Sequence, residues 1–281
     1  MDAAKPAELT GLKNVVSYAR GFMSGAAPEG DAGFETLRAM GVKTIISVDG
    51  GVPDVETAKA HGLKYIHLPI GYNGMDHHRT LEIAKAVELA EKDGPVYIHC
   101  HHGQHRSAAA AGATAVTLGW LSDEAATAKL HVSGTSPNYK GLYACVAAAY
   151  PVKQSEFSSI ESTFPEVSRP SGYIETMGSI EETLDHLKQI EKAGWKPPVT
   201  SPDLVSVAEA ARLADLFRNL AHSKAAEAKP APVRPLLLAE SKKAEALEAG
   251  LNAPQMNTSD LSQKLRSLAN SCTECHAKYR D

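Results

Sequence analysis

Two short stretches of this chain carry residue types whose spacing can do chemistry. In Val96-Tyr97-Ile98-His99-Cys100-His101-His102-Gly103-Gln104-His105-Arg106-Ser107, five residues separate a cysteine from an arginine, with a strand-like run before the cysteine and a helix-like run after the arginine. Such a loop can curl so that its backbone N–H groups point inward, and the helix start adds partial positive charge, which together make a cradle for an oxyanion. Gly103 eases the tight curl. A thiolate at the base of the cradle is stabilised by the same donors. Arg106 supplies a planar fork able to hold two phosphate oxygens. The second stretch is Cys272-Thr273-Glu274-Cys275-His276, the Cys-x-x-Cys-His pattern of covalent c-type haem attachment. There both thiols would add to vinyl groups and His276 would become the axial ligand of the iron.

These residues need elements to position them. The first half reads as short strands at 14–18, 44–48, 65–68 and 96–99 alternating with helical stretches at 33–40, 55–61 and 80–92. That alternation predicts a largely parallel sheet covered by helices. After Cys100 the pattern turns helical, at 105–118, at 122–131 behind a Ser122-Asp123 cap, and at 138–149. Pro151 ends the run, and residues 153–171, rich in Ser, Glu and Pro without a sustained period, read as a linker. From 172 onward the pattern is helical only. Ile174, Met177, Ile180, Leu184, Leu187 and Ile190 mark one helix, and Ser201-Pro202-Asp203 opens a second that carries Leu213, Leu216, Phe217 and Leu220. A third spans 235–251. The fourth begins near Thr258-Ser259-Asp260, with Leu261, Leu265, Leu268, Cys272, Cys275 and Tyr279 in one stripe. The expectation is an α/β domain over 1–152, a linker over 153–171, and an all-α antiparallel four-helix bundle over 172–281.

A chain of 281 residues, 43% hydrophobic and 22% charged, has room for two ordinary globular cores. The formal net charge of -4 gives no electrostatic reason to expect nucleic acid or an anionic membrane as partner, so any anion site is local. No apolar run reaches membrane-spanning length; the nearest, 108–121, is mostly Ala and is broken by Gly112, Thr114, Thr117 and Gly119. Met1-Asp2-Ala3-Ala4-Lys5-Pro6 lacks the features of a signal peptide, which leaves either a cytosolic chain or one whose leader has been removed. The four cysteines, Cys100, Cys145, Cys272 and Cys275, are too few and too unevenly spaced for a disulfide scaffold. Cys145 reads as a small buried hydrophobe, with a partner thiol for Cys100 as the alternative.

The first stretch resembles the signature of the protein tyrosine and dual-specificity phosphatase superfamily: His-Cys, five residues, Arg, then Ser or Thr. The resemblance covers roughly the first 150 residues, and the compact spacing is similar to the dual-specificity type. It implies that Cys100 attacks phosphorus to form a cysteinyl-phosphate, that Arg106 binds the phosphate, and that the Ser107 hydroxyl supports the sulfur as leaving group. His99 would orient the loop and favour the thiolate. The substrate would rest on the loop formed by His101, His102, Gly103, Gln104, His105 and Arg106. The family places an acidic residue upstream of the cysteine as general acid, for which Asp76, in Ile70-Gly71-Tyr72-Asn73-Gly74-Met75-Asp76, is the first choice and Asp49 the second. That loop departs from the common Trp-Pro-Asp form. His101, His102 and His105 with His77 and His78 also allow a metal site, against which stands the plainer reading that they raise the positive potential or touch substrate.

The last helix resembles that of cytochromes of the c-prime type over about 172–281, where one haem c is packed inside a four-helix bundle. Some relatives use a Met on the first helix as sixth ligand. Met177 would take that role here, or it simply packs in the core; without it the iron is five-coordinate and open to small gases. A zinc site would need two more ligands at comparable spacing, and a redox dithiol expects a strand before its helix. In that family the haem is attached outside the bacterial cytoplasm, which implies a periplasmic protein. The expected activity is phosphomonoester hydrolysis on a phosphorylated substrate, beside a haem that senses redox or gas state. The alternative is an electron-transfer or gas-binding cytochrome, served by a redox partner, whose first domain only binds oxyanions.

Overall fold

The computed structural model describes residues 5–168, 172–202 and 204–279, except for the side chains of 174 and 175. Ile174 and Asp203 of the sequence analysis therefore lie outside the described residues or side chains. The chain divides into two compact units, Met1–Ser168 and Arg169–Asp281.

The first unit is built on strands β1 (Ala7–Leu9), β2 (Leu12–Ala19), β3 (Phe22–Ala26), β4 (Thr44–Ser47), β5 (Lys64–His67) and β6 (Val96–Cys100). Their order across the sheet is β1-β2-β3-β6-β4-β5. β6 lies parallel to both β3 and β4, and β4 is parallel to β5. β1, β2 and β3 form an antiparallel meander, so the sheet is mixed rather than largely parallel. The unexpected strand is β3. Its sequence Phe-Met-Ser-Gly-Ala lacks β-branched residues, and it forms because Arg20 and Gly21, the latter at φ 81°, turn the chain back from Ala19 to Phe22.

The helices of this unit are α1 (Gly30–Ala39), α2 (Val55–Ala60), α3 (His77–Ala90), α4 (Arg106–Thr117), α5 (Asp123–Val132), α6 (Lys140–Ala147) and α7 (Gln154–Phe157). Ser122 caps α5 through its side chain, as the Ser-Asp pattern suggested. The Ala-rich run that stopped short of a membrane span is α4, and every one of its residues is buried. It packs against β3 and β6 on one side and α3, α5 and α6 on others. Only small side chains allow so many neighbours at close range; a Cβ on Gly112 would come within 3.0 Å of Leu130. The N-terminus of α4 is thereby held at the C-terminal ends of the central parallel strands.

Residues 153–168 are not a free linker. Phe157 and Ile160 are buried against Leu81 and Ala84 of α3, and Val167 packs on the cluster around Phe34, Leu37 and Tyr65. Single apolar residues within a Ser/Glu/Pro-rich stretch carry no period, which is why the sequence pattern ended the domain at 152.

The second unit contains α8 (Tyr173–Lys192), α9 (Ser206–Ala221), α10 (Lys224–Glu227), α11 (Val233–Leu251) and α12 (Thr258–Tyr279). α8 packs on α9, α9 on α11, α11 on α12, and α12 returns to α8. α9 starts at Ser206, since Leu204 N–H still closes a turn onto the Ser201 carbonyl. Among the described residues no helix is long and apolar enough to cross a membrane.

Candidate active site and Cys-x-x-Cys-His motif

Cys100 ends β6, in register with Ala26 of β3, and Arg106 begins α4. The loop between them is closed tightly. Gly103, at φ 74°, lies against β3 so closely that a Cβ would fall 2.3 Å from the Ala26 nitrogen and 2.4 Å from the Gly25 carbonyl carbon. Asn14 Nδ2 donates to the Gly103 carbonyl and to the Ser133 carbonyl, both at 2.9 Å, tying the loop to β2 and to the end of α5. The Thr135 hydroxyl donates to the Gln104 carbonyl. Asn14 itself is held at φ 55°. An Asn within an apolar strand is the one signal of this role that the sequence carries.

Cys100 is 3% exposed, and its Sγ lies 3.3 Å from the Ser107 hydroxyl, which is also 3.3 Å from the Gly25 carbonyl oxygen. A hydroxyl has one proton, so Ser107 can turn it to the sulfur or to the carbonyl. Arg106 is 2% exposed. Its Nη2 donates to Asp49 Oδ1 at 3.2 Å, and its guanidinium lies 4.2 Å from the centre of the Tyr72 ring. Tyr72 stacks on Tyr139, whose ring also meets His105 at 4.5 Å. The arginine fork is therefore gripped by a carboxylate and an aromatic face.

His99 is buried, and Nδ1–H donates to the Cys100 carbonyl while Nε2 accepts from the Tyr65 hydroxyl at 3.0 Å. A carbonyl can only accept, so Nδ1 carries a proton, and burial, which disfavours a second one, leaves Nε2 to accept from the phenol. Burial pushes its pKa down to about 4. His99 thus links the Cys100 carbonyl to Tyr65 and brings no positive charge of its own to the loop. His105, whose pKa burial brings down to about 3 with Arg106 and His102 adding to the effect, is likewise neutral. The expectation that it raises the local potential is corrected by its burial. His101 and His102 are less covered, with their rings 4.3 Å apart. Among the described residues no group of three or more His, Cys, Asp or Glu side chains is placed to hold a metal ion.

The two acid candidates occupy different places. Asp76 is exposed and caps α3, Oδ1 accepting the Arg79 N–H at 2.8 Å. It closes the loop whose Tyr72 covers Arg106, and that loop is locked on α6, where a Cβ on Gly141 would come 2.1 Å from the Asn73 carbonyl oxygen. Asp49, 6% exposed, accepts from Arg106 and from the Gly51 N–H. A carboxylate committed to two donors orients the arginine rather than delivering a proton. Cys145 is buried on α6, where burial raises its pKa.

In the second unit Leu261, Leu265 and Leu268 of α12 are buried, whereas Cys272, Cys275 and Tyr279, which continue the same stripe, are half-covered. Both cysteines are free thiols, pushed above the usual range by burial and then by Glu240, opposite to an activated exchange thiol. His276 is exposed and Met177 on α8 is half-buried. Two free thiols one turn apart, an adjacent imidazole and an apolar stripe that loses its cover at these residues fit a covalently held haem.

No family model matches the chain, and no curated protein matches it. Among solved structures, P. aeruginosa TpbA is 22% identical and the likeness covers 53% of this chain and 91% of that one, with a TM-score of 0.45. TpbA in complex with pTyr is similar at 20% identity, over 53% and 91%, with the same TM-score of 0.45. The core catalytic domain of the PP-IP phosphatase SIW14 from S. cerevisiae is 16% identical over 56% of this chain and 87% of its own, at a TM-score of 0.34.

Proposed function

We propose that the first unit hydrolyses phosphomonoesters through Cys100, in the manner of the tyrosine and dual-specificity phosphatases. The observation that carries this is the closed loop itself, with Cys100 Sγ 3.3 Å from Ser107 Oγ at its base and a buried Arg106 held at its other end. The Cys100 thiolate attacks phosphorus, the phosphorus–oxygen ester bond breaks, and the leaving oxygen takes a proton from Asp76. Arg106 and backbone amides of the loop hold the three remaining oxygens as charge redistributes. Water then attacks the cysteinyl-phosphate and gives a proton to the Asp76 carboxylate. The phosphorus–sulfur bond breaks, with the Ser107 hydroxyl donating to the departing sulfur, and inorganic phosphate leaves.

We further propose that Cys272, Cys275 and His276 would hold one haem c, with Met177 either a further donor to its iron or a core residue of α8. When bound, that group would supply redox chemistry or small-gas binding; the chain's own part is to tether it at the C-terminal end of α12. Such attachment argues for the periplasm. The rival is a cytochrome whose first unit only binds oxyanions.

The test is turnover of a generic aryl phosphate by freshly reduced, haem-loaded protein beside Cys100→Ser. Turnover lost in the variant by at least about 10⁴-fold supports the phosphatase. No turnover by reduced wild type moves the conclusion to the rival.

A further inference from the structure

Behind Arg106 lies a chain of hydrogen bonds that the mechanism above does not use. Asp49, the residue that fixes one arm of the arginine fork, sits in an irregular turn just past β4. Its backbone carbonyl accepts the Nε2–H of His67, the last residue of β5, at 2.8 Å. His67 is 1% exposed, and its other nitrogen, Nδ1, accepts the backbone N–H of Ser168 at 3.1 Å. With one nitrogen donating and the other accepting, the ring is neutral, and burial lowers its pKa in the same sense.

The backbone of His67 is bracketed too. Its N–H donates to the Pro165 carbonyl at 2.8 Å, and the Ser168 hydroxyl donates to its carbonyl at 2.6 Å. β5 is an outer strand of the sheet, so these bonds cap an edge that would otherwise be open. Glu166 is paired with Lys59 of α2 at 2.8 Å, and Val167 packs on the core. Residues 165–168 therefore form a clasp on β5, and Ser168 is the final residue of the first unit.

We propose that His67 is a positioning residue for the oxyanion site: it carries the docking of the 165–168 clasp through the Asp49 turn to Arg106. The proposal rests on Arg106 as the oxyanion ligand. A planar guanidinium meets two oxygens of a tetrahedral anion only in one orientation, and that orientation depends on where the Asp49 carboxylate stands. The bond from His67 ties the turn bearing Asp49 to β5. Undocking the clasp removes the acceptor's partner at Nδ1, frees the ring to turn, and loosens Asp49 without touching Cys100.

The experiment uses the two amide stand-ins for imidazole in the full chain. Glutamine places its amide nitrogen where Nε2 stands, and asparagine places its amide where Nδ1 stands, so His67→Gln keeps the bond to the Asp49 carbonyl and His67→Asn loses it. Tungstate binding by titration calorimetry, KM and kcat for an aryl phosphate, and the thermal unfolding midpoint are measured for each. Tungstate affinity and KM worsen about tenfold in His67→Asn while His67→Gln stays within about threefold of wild type, although both lose similar thermal stability. Ser168→Ala, a change at the molecular edge that leaves the ring in place, weakens tungstate by about threefold. Equal weakening in the two His67 variants, tracking their unfolding midpoints, overturns the proposal, as does wild-type affinity in both His67→Asn and Ser168→Ala. If wild type itself binds no tungstate, the oxyanion site falls and the positioning role with it; if wild type binds and only the variants fail to differ, the site stands and His67 alone is refuted.

Discussion

The two units hold their chemistry in opposite ways. Around Cys100 the working groups arrive from β2, β3, β6, α4, the turn after β4 and the loop before α3, and most are buried before any ligand enters. Around Cys272 the two thiols and the imidazole sit within five residues of one helix, half-covered or exposed, and Met177 alone stands on another. A preassembled site meets the cost of ordering its groups during folding, so it binds its ligand in one step and tolerates little change. A site carried mainly by one helix would leave the rest of its walls to be completed by whatever group it held.

The contrast breaks most sharply if the second unit is disarmed while the first is left alone. Cys272→Ala with Cys275→Ala is expected to abolish covalent haem completely, read by haem staining and mass on denatured protein, while aryl phosphate turnover stays within about twofold. Loss of turnover in that variant would erase the separation drawn here. Next in size, Gly103→Ala forces a Cβ into the β3 backbone and is expected to weaken tungstate binding by roughly a hundredfold, whereas Thr273→Ala and Glu274→Ala, both exposed, leave haem attachment at wild-type yield. Equal tolerance at the two positions would mean that the loop around Cys100 is not preassembled. A smaller effect separates cap from catalyst at Asp76. Asn caps a helix as well as Asp does, so Asp76→Asn should keep the unfolding free energy within about 0.5 kcal/mol. Its kcat/KM, which reports the first chemical step, should nevertheless fall about a hundredfold for an alkyl phosphate and far less for a nitrophenyl ester, whose leaving group needs no proton.

The last effect, small for each histidine taken alone, is on stability. His99 and His105 have folded pKa values of about 4 and about 3, below the ordinary 6.5. As pH falls below 6.5 the unfolded chain takes up protons that the folded chain refuses, so stability present above pH 6.5 drains away toward those lower values. The expected loss between pH 6.5 and 5 is on the order of 1–2 kcal/mol per histidine, measured by urea unfolding. His105→Asn should flatten the profile, and an unchanged slope would show the ring is not buried in the folded state.

Sequence reading reached what is local. Cys100, Arg106, Ser107 and His99 lie within nine consecutive residues, and strand, loop and helix follow from their neighbours. It missed what arrives from far along the chain. Tyr72 and Asn14 carry no spacing relation to Arg106, and they become site residues only when the sheet order brings their segments beside the loop. The antiparallel meander was hidden for a related reason: Phe22–Ala26 has weak strand character, and its partner β6 lies some seventy residues later. Phe157 and Ile160 look like strays in a polar stretch until α3 is there to receive them.

The strand order also dictates a sequence of events during synthesis. β6 stands between β3 and β4, yet it is the last of the six strands to leave the ribosome. Until it arrives, β1-β2-β3 and β4-β5 are separate fragments, and β3 and β4 each present an open backbone edge. While β6 is made, those two edges are open to pairing with each other or with neighbouring chains. The insertion that ends the hazard also sets Cys100 in place, so the loop between Cys100 and Arg106 takes shape only as the sheet closes.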